Sequence, residues 1–180
     1  MPLATDTETT GLLKPELVEA RLQPCITEIY ICDFDIHTGK IISEFETFVN
    51  PKVPIPPEIT KITGITDQMV KNAPTFVEIY DDLCEFFLGH DTIFAHNCSY
   101  DMGVIACELK KYDFDYRFPW PKNQICTVEA SHCIRNKRLP LGELYKIATG
   151  KTLFNGHRAK NDVIAMVECI VWLKKEGFLK

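Results

Sequence analysis

Apolar residues recur along this chain in two different periods. From Thr27 to Val49 they alternate with polar residues in two runs, first Ile29, Ile31 and Phe34, then Ile41 to Val49, with His37-Thr38-Gly39-Lys40 between them. A period of two broken by a short polar turn predicts a β-hairpin. After Pro74 the period lengthens: Phe76, Ile79, Tyr80, Leu83, Phe86 and Phe87 fall at helical spacing behind Thr75, a suitable N-cap, and Gly89 ends the run. A buried strand is predicted over Thr92 to His96 and a helix over Met102 to Leu109. Further on come a strand near Gln124 to Thr127 and helices over Val128 to Ile134, Leu141 to Thr149 and Ala159 to Lys175. Between the hairpin and the first long helix, Asn50 to Pro57 holds four prolines. Proline lacks an amide donor and fixes its own φ, so a rigid surface connection is expected there. Strands first, then strands alternating with helices, predict an α/β fold with a mixed sheet flanked by helices. No repeat or linker interrupts the 180 residues, which suit one domain over 1–180.

Charge narrows the classes of partner. Twenty basic against 25 acidic side chains give −5, which excludes a protein that neutralises a long stretch of phosphates, so any contact with nucleic acid must be local. No apolar run reaches the roughly 18 residues of a membrane span, and Met1 to Leu13 lacks the charged head and apolar stretch of an export signal. A soluble, cytoplasmic, unexported protein without membrane contact is expected. The eight cysteines read as reduced thiols spread over a full-sized chain, and the spacing of Cys126, His132 and Cys133 matches no usual zinc module.

The acids carry the candidate chemistry. If Ala4 to Glu8 is a strand, Asp6 and Glu8 project from one face, where two carboxylates repel unless a cation lies between them. Taken alone, the pair reads equally as a solvated edge. Asp101 lies in Ala95-His96-Asn97-Cys98-Ser99-Tyr100-Asp101-Met102, where a strand turns into a helix, and helix capping would also account for it. Asn155-Gly156-His157-Arg158-Ala159-Lys160-Asn161-Asp162 places a histidine on a loop and an acid at the start of an apolar helical face, each of which is ordinarily structural. Together, four acids and a histidine at strand and helix ends are what phosphodiester cleavage with two divalent ions requires. Hard cations such as Mg²⁺ or Mn²⁺ favour carboxylate oxygens and can clamp the attacking and leaving oxygens. An imidazole with a pKa near about 6.5 can take a proton from water at neutral pH.

Asp6-x-Glu8-Thr9-Thr10-Gly11, His96-Asn97-x-x-Tyr100-Asp101 and His157-Arg158-Ala159-x-x-Asp162 stand in the order and approximate spacing of the three motifs of the DEDDh exonucleases. The chain resembles the proofreading 3′-to-5′ exonuclease subunits and domains of bacterial DNA polymerases, which have a ribonuclease H-like fold. The resemblance extends through Ile55 to Asp67 and Ala73 to Phe76, nearly the whole chain. It implies that Asp6, Glu8, Asp101 and Asp162 hold two divalent ions, Mg²⁺ or Mn²⁺, while His157 deprotonates the attacking water and a nucleoside 5′-monophosphate is released. It also implies a terminal-nucleotide pocket of Glu8, Thr9, Thr10, Leu12 and His157, with Leu12 as an apolar wedge and Asn97 and Tyr100 as the opposite wall. Thr63 stands where many relatives carry a histidine near that nucleotide, Tyr100 where phenylalanine is frequent, and Tyr30 where glycine is frequent.

Such a pocket reads an end and not a code. The implied substrate is a single-stranded or frayed DNA 3′ end. An exoribonuclease trimming RNA 3′ ends and a non-catalytic nucleic-acid-binding module are the alternatives, and a DNA polymerase is the candidate partner. Glu28 reads either as a partner beneath the site or as a plain strand acid. Lys110-Lys111, Arg135 to Arg138 and Lys174-Lys175 read as solvated helix ends, and of these Arg135-Asn136-Lys137-Arg138 is the best candidate for touching the backbone of an incoming strand. Phe114, Tyr116, Phe118 and Trp120 alternate and are expected to form a packed edge.

Overall fold

The computed structural model describes residues 1–15, 17–154 and 156–179; Asn155 of the third motif segment lies outside them. The first strand, β1 (Leu3–Thr9), occupies the middle of a five-stranded sheet. It pairs antiparallel with β2 (Ile26–Phe34), which pairs antiparallel with β3 (Ile41–Phe48), so the expected hairpin forms. On its other side β1 pairs in parallel with β4 (Thr92–Ala95), and β4 in parallel with β5 (Asn123–Cys126), giving the order β3-β2-β1-β4-β5.

Two faces of this mixed sheet bury two cores. Leu3, Ile29, Ile31, Ile93 and Ala95 pack against α3 (Phe76–Phe87) and α4 (Cys98–Lys111). Ala4, Tyr30, Cys32, Phe34 and Phe94, of opposite parity, pack against α8 (Ala159–Lys175). α3 opens with a capping box in which Thr75 and Glu78 satisfy each other's backbone amides.

Several expectations are corrected. The proline-rich connection ends in α1 (Pro57–Thr63) and α2 (Asp67–Val70), two short helices not foreseen from the sequence. Ile55, Ile65 and Val70 form a small core there, so tertiary burial holds segments too short to show a period. α4 starts four residues earlier than its apolar face, at Cys98. The helix expected over Val128 to Ile134 divides into α5 (Thr127–Ala130) and α6 (His132–Arg135), where the Ser131 hydroxyl donates back to the Val128 carbonyl at 3.1 Å. α7 (Leu141–Thr149) follows. The alternating aromatics form no strand, because Asp115–Arg117 is a 3₁₀ turn; packing is still their role, with Phe114 stacked on Tyr80 at 4.2 Å and Phe118 and Trp120 against Phe87. Tyr116 alone of the four is exposed. Lys111 is no solvated end: its ammonium is buried and donates to the Pro24 carbonyl at 3.1 Å.

Candidate active site

β1 runs past its parallel neighbour. Pairing with β4 stops at Ala4↔Phe94, and the chain leaves β4 through Asn97, whose φ of 73° starts α4. The carboxyl ends of β1 and β4 therefore diverge, the place where open α/β sheets receive ligands. The unpaired Thr7 amide and the Thr7 hydroxyl both donate to Asp101 Oδ1, at 3.0 and 2.8 Å, which ties α4 to the end of β1. Asp101 is only 2% exposed. Asp6 and Glu8 flank Thr7 and point to the other face, where β2 places Tyr30 opposite Asp6 and Glu28 opposite Glu8.

Two acids facing each other across strands need a cation, and Arg158 meets that need from the start of α8. Its guanidinium donates to both oxygens of Glu28 at 2.6 to 3.2 Å, and the Ala159 amide adds a further bond to Glu28 at 3.0 Å. Of the two readings of Glu28, the structure selects the partner beneath the site: this buried acid fixes the segment carrying His157 and Asp162. His157 has a left-handed backbone, φ 64°, and its amide donates to Asp162 Oδ2 at 2.9 Å. Its exposed ring thereby comes together with two of the acids: ligand atoms of Glu8, His157 and Asp162 lie within 4.8 Å of one another.

The electrostatics are those of a cage short of positive charge. Burial, and then the fields of Asp101, Glu8 and Asp162, push Asp6 well above the usual carboxylate range. Burial and the nearby Asp162 and Glu28 raise Glu8 to about 8. Burial also raises Asp101, against the two Thr7 hydrogen bonds, and raises Asp162. A set of four such carboxylates with an imidazole beside them is a hard, anionic donor set that fits divalent cations in preference to soft metals.

The pocket residues are more unevenly placed. Leu12 is 80% exposed, three residues beyond the end of the acids' strand. Thr10 is pinned to β2, donating its amide to the Cys25 carbonyl at 2.8 Å and accepting from the Cys25 amide at 2.9 Å. Tyr100 Oη lies 2.6 Å from Thr9 Oγ1 and 2.8 Å from the Gly11 carbonyl oxygen, so the two expected walls are bonded to each other. Asn97 accepts a hydrogen bond from Arg138 at 3.1 Å. Thr63 turns inward, donating to the Ile59 carbonyl and accepting from the Ile65 amide at 3.1 Å each, and among the described residues no hydrogen bond joins it to the acids. Arg158 and Thr7 escaped sequence reasoning, although their places, next to His157 and between the two β1 acids, were a signal.

A ribonuclease H-like sheet with acids from β1, α4 and α8 at one end defines the class: a nuclease fold with a cation-seeking site. The chain belongs to the exonuclease family that includes ribonuclease T, whose profile matches residues 3–170 and whose members depend on divalent metal ions. Among curated relatives it is 33% identical over 173 residues to the PolC-type DNA polymerase III of Caldanaerobacter subterraneus subsp. tengcongensis, covering 92% of this chain and 11% of the relative. It is 40% identical over 106 residues to the DNA polymerase III epsilon subunit of Treponema pallidum, covering 59% of this chain and 45% of the relative. The chain thus spans a minor part of either protein. Among solved structures, the nuclease domain of 3′hExo, a DEDDh family member bound to rAMP, superposes with a TM-score of 0.78 at 17% identity, covering 98% of this chain and 92% of that one. Exonuclease X in complex with 5′ overhanging duplex DNA gives 0.70 at 23% identity, over 100% and 95%. These two likenesses concern the fold. Among the described residues, no helix is long and apolar enough to cross a membrane.

Proposed function

We propose that the chain is a single exonuclease domain that removes nucleoside 5′-monophosphates from the 3′ ends of single-stranded or frayed DNA, as the proofreading part or partner of a DNA polymerase. The observation that carries this reading is the set of acids itself: Glu8 and Asp162 gathered with His157, and Asp6 and Glu8 raised by burial and by the fields of Asp101 and Asp162. Those four acids would hold two divalent ions, Mg²⁺ or Mn²⁺, which would supply positive charge against the scissile phosphate and the departing 3′ oxygen. His157 takes a proton from the attacking water. Its left-handed backbone and its amide bond to Asp162 aim the ring at the cage. Leu12 wedges beside the terminal base, while Thr9, Thr10, Asn97 and Tyr100 shape the pocket; the Thr63 hydroxyl, spent on Ile59 and Ile65, offers the nucleotide no contact. DNA is favoured over RNA because the curated relatives named above are DNA polymerase III proteins.

End-labelled single-stranded DNA, RNA and mismatched duplex, each with and without Mg²⁺, test substrate and reaction together. Stepwise loss of 3′ nucleotides from DNA, silenced by chelator and restored by Mg²⁺ or Mn²⁺, is the expected result. Faster loss from RNA would transfer the assignment to the exoribonuclease alternative, and intact substrates throughout would leave a binding module.

A further inference from the structure

Each of the three cations of Arg135-Asn136-Lys137-Arg138 is paired with an acid. Arg135 and Lys137 both donate to Glu143, in the first turn of α7, at 3.0 and 2.9 Å. Arg138 goes elsewhere. Asn136 is left-handed, φ 52°, and turns the chain back after α6. The buried Leu139 then roots the returning segment, whose backbone is hydrogen-bonded by His96. Arg138 is left reaching across to the turn between β4 and α4. One guanidinium nitrogen donates to Asn97 Oδ1 at 3.1 Å and the other to the Glu129 carboxylate.

Asn97 immediately precedes the helix that carries Asp101, and its side chain does not cap that helix. Its amide oxygen is taken by Arg138 instead. The Arg138 and Glu129 side chains are 58% and 60% exposed, and an ion pair so open to water is weak and easily exchanged. The guanidinium nitrogen that Glu129 occupies can be offered to a phosphodiester oxygen instead, charge for charge, so the exchange strands no unpaired cation. A strand whose last phosphodiester lies among the acids must carry its next one out past the pocket wall.

We propose that Arg138 binds the phosphodiester upstream of the terminal nucleotide, exchanging Glu129 for that phosphate while it keeps Asn97 in place. The proposal rests on the exonuclease reading and adds a phosphate subsite to it. Glu129 then acts as a resident competitor that holds Arg138 extended until a strand arrives.

The test compares a substrate with no upstream phosphate, the p-nitrophenyl ester of thymidine 5′-monophosphate, with single-stranded oligonucleotides in the presence of Mg²⁺. Arg138→Ala should raise KM for the strand by about 10- to 100-fold, the scale of a lost charge-assisted contact, with much the smaller part of the loss falling on kcat. The effect on the strand should exceed that on the ester by at least about tenfold, and the salt dependence of strand binding should flatten by about one counterion. Glu129→Gln should act in the opposite direction and lower KM for the strand, and Arg138→Lys should recover part of the loss. Equal losses on ester and strand, or a Glu129→Gln protein impaired like Arg138→Ala, would mean that the pair only braces Asn97 and would overturn the proposal. Arg138→Ala with wild-type KM for the strand would overturn it as well. A wild-type protein that cleaves neither substrate would remove the exonuclease reading itself, an outcome distinct from failure of the subsite alone.

Discussion

Two groups of carboxylates, wholly or partly withdrawn from water, differ in what faces them. Glu108 accepts the Ile26 amide at 2.9 Å and has the buried Lys111 ammonium at 3.3 Å, and Glu28 has Arg158 and the Ala159 amide. Each of these acids carries its own cation. Asp101 is buried and Asp6, Glu8 and Asp162 are half-buried, yet Arg158, whose field reaches Glu8, directs its hydrogen bonds to Glu28. Burying a charge is tolerable when a counter-charge is buried with it and costly otherwise. The first group is therefore complete as folded, and the second is complete only with a cation from outside.

The largest effect should follow from removing one acid of the second group. Asp6→Ala or Asp162→Ala should abolish hydrolysis, while the melting midpoint of the metal-free protein does not fall, because one source of repulsion is gone. Turnover near wild type in either variant would break the contrast at its root. His157→Ala should come next, slowing the chemical step by about 10²- to 10⁴-fold. Mn²⁺ binding, followed calorimetrically, should survive that change, since four carboxylates remain.

Lys111→Ala tests the first group. It leaves Glu108 buried without its cation and should cost about 3 kcal/mol in denaturant unfolding, with the metal titration unaltered. An acid that tolerated this loss would show that its cation is incidental, and the two groups would differ less than their geometry implies.

How much of this was legible in the sequence follows from the range of each interaction. The hairpin and α3 were readable because their apolar residues keep one period for many positions, and α3 carries its own capping box. α1 and α2 were not, since four to seven residues hold too little of a helical period and are fixed by Ile55, Ile65 and Val70 meeting across the chain. The acids and His157 could be named from motif order. Their convergence depends on Thr7 donating to Asp101 and Arg158 clamping Glu28, contacts between residues 94 and 130 positions apart that no local pattern encodes. Lys111 misled for the same reason: a lysine near a helix end reads as solvated until Glu108 and Cys25 are seen around it.

The pH dependence of stability sharpens the comparison without any mutation. Asp6, Glu8, Asp101 and Asp162 have raised pKa values in the folded chain, Glu8 to about 8, while an unfolded carboxylate titrates near about 4. Between those limits the folded protein holds protons that the unfolded chain has released. Metal-free stability should therefore be greatest below about pH 4 as far as these groups are concerned, and fall as the pH rises toward about 8. Saturating Mg²⁺ or Mn²⁺ should flatten that slope, because the bound cations replace the protons. Melting midpoints across this range, with metal and with chelator, measure the difference, and superimposable curves would show that no external cation enters the cage.

The smallest expected effect concerns the pocket wall. The Tyr100 hydroxyl lies within hydrogen-bond distance of both Thr9 Oγ1 and the Gly11 carbonyl. Thr9 Oγ1 is itself 2.7 Å from that carbonyl, so two hydroxyls compete for one acceptor and each partly covers for the other. Tyr100→Phe should then cost only about 1 kcal/mol of stability. It should leave kcat within about twofold, because no acid of the cage touches the hydroxyl. A KM increase confined to strands would assign the hydroxyl to the substrate, whereas a fall in kcat would require the turn from Thr9 to Leu12 to set the position of Glu8.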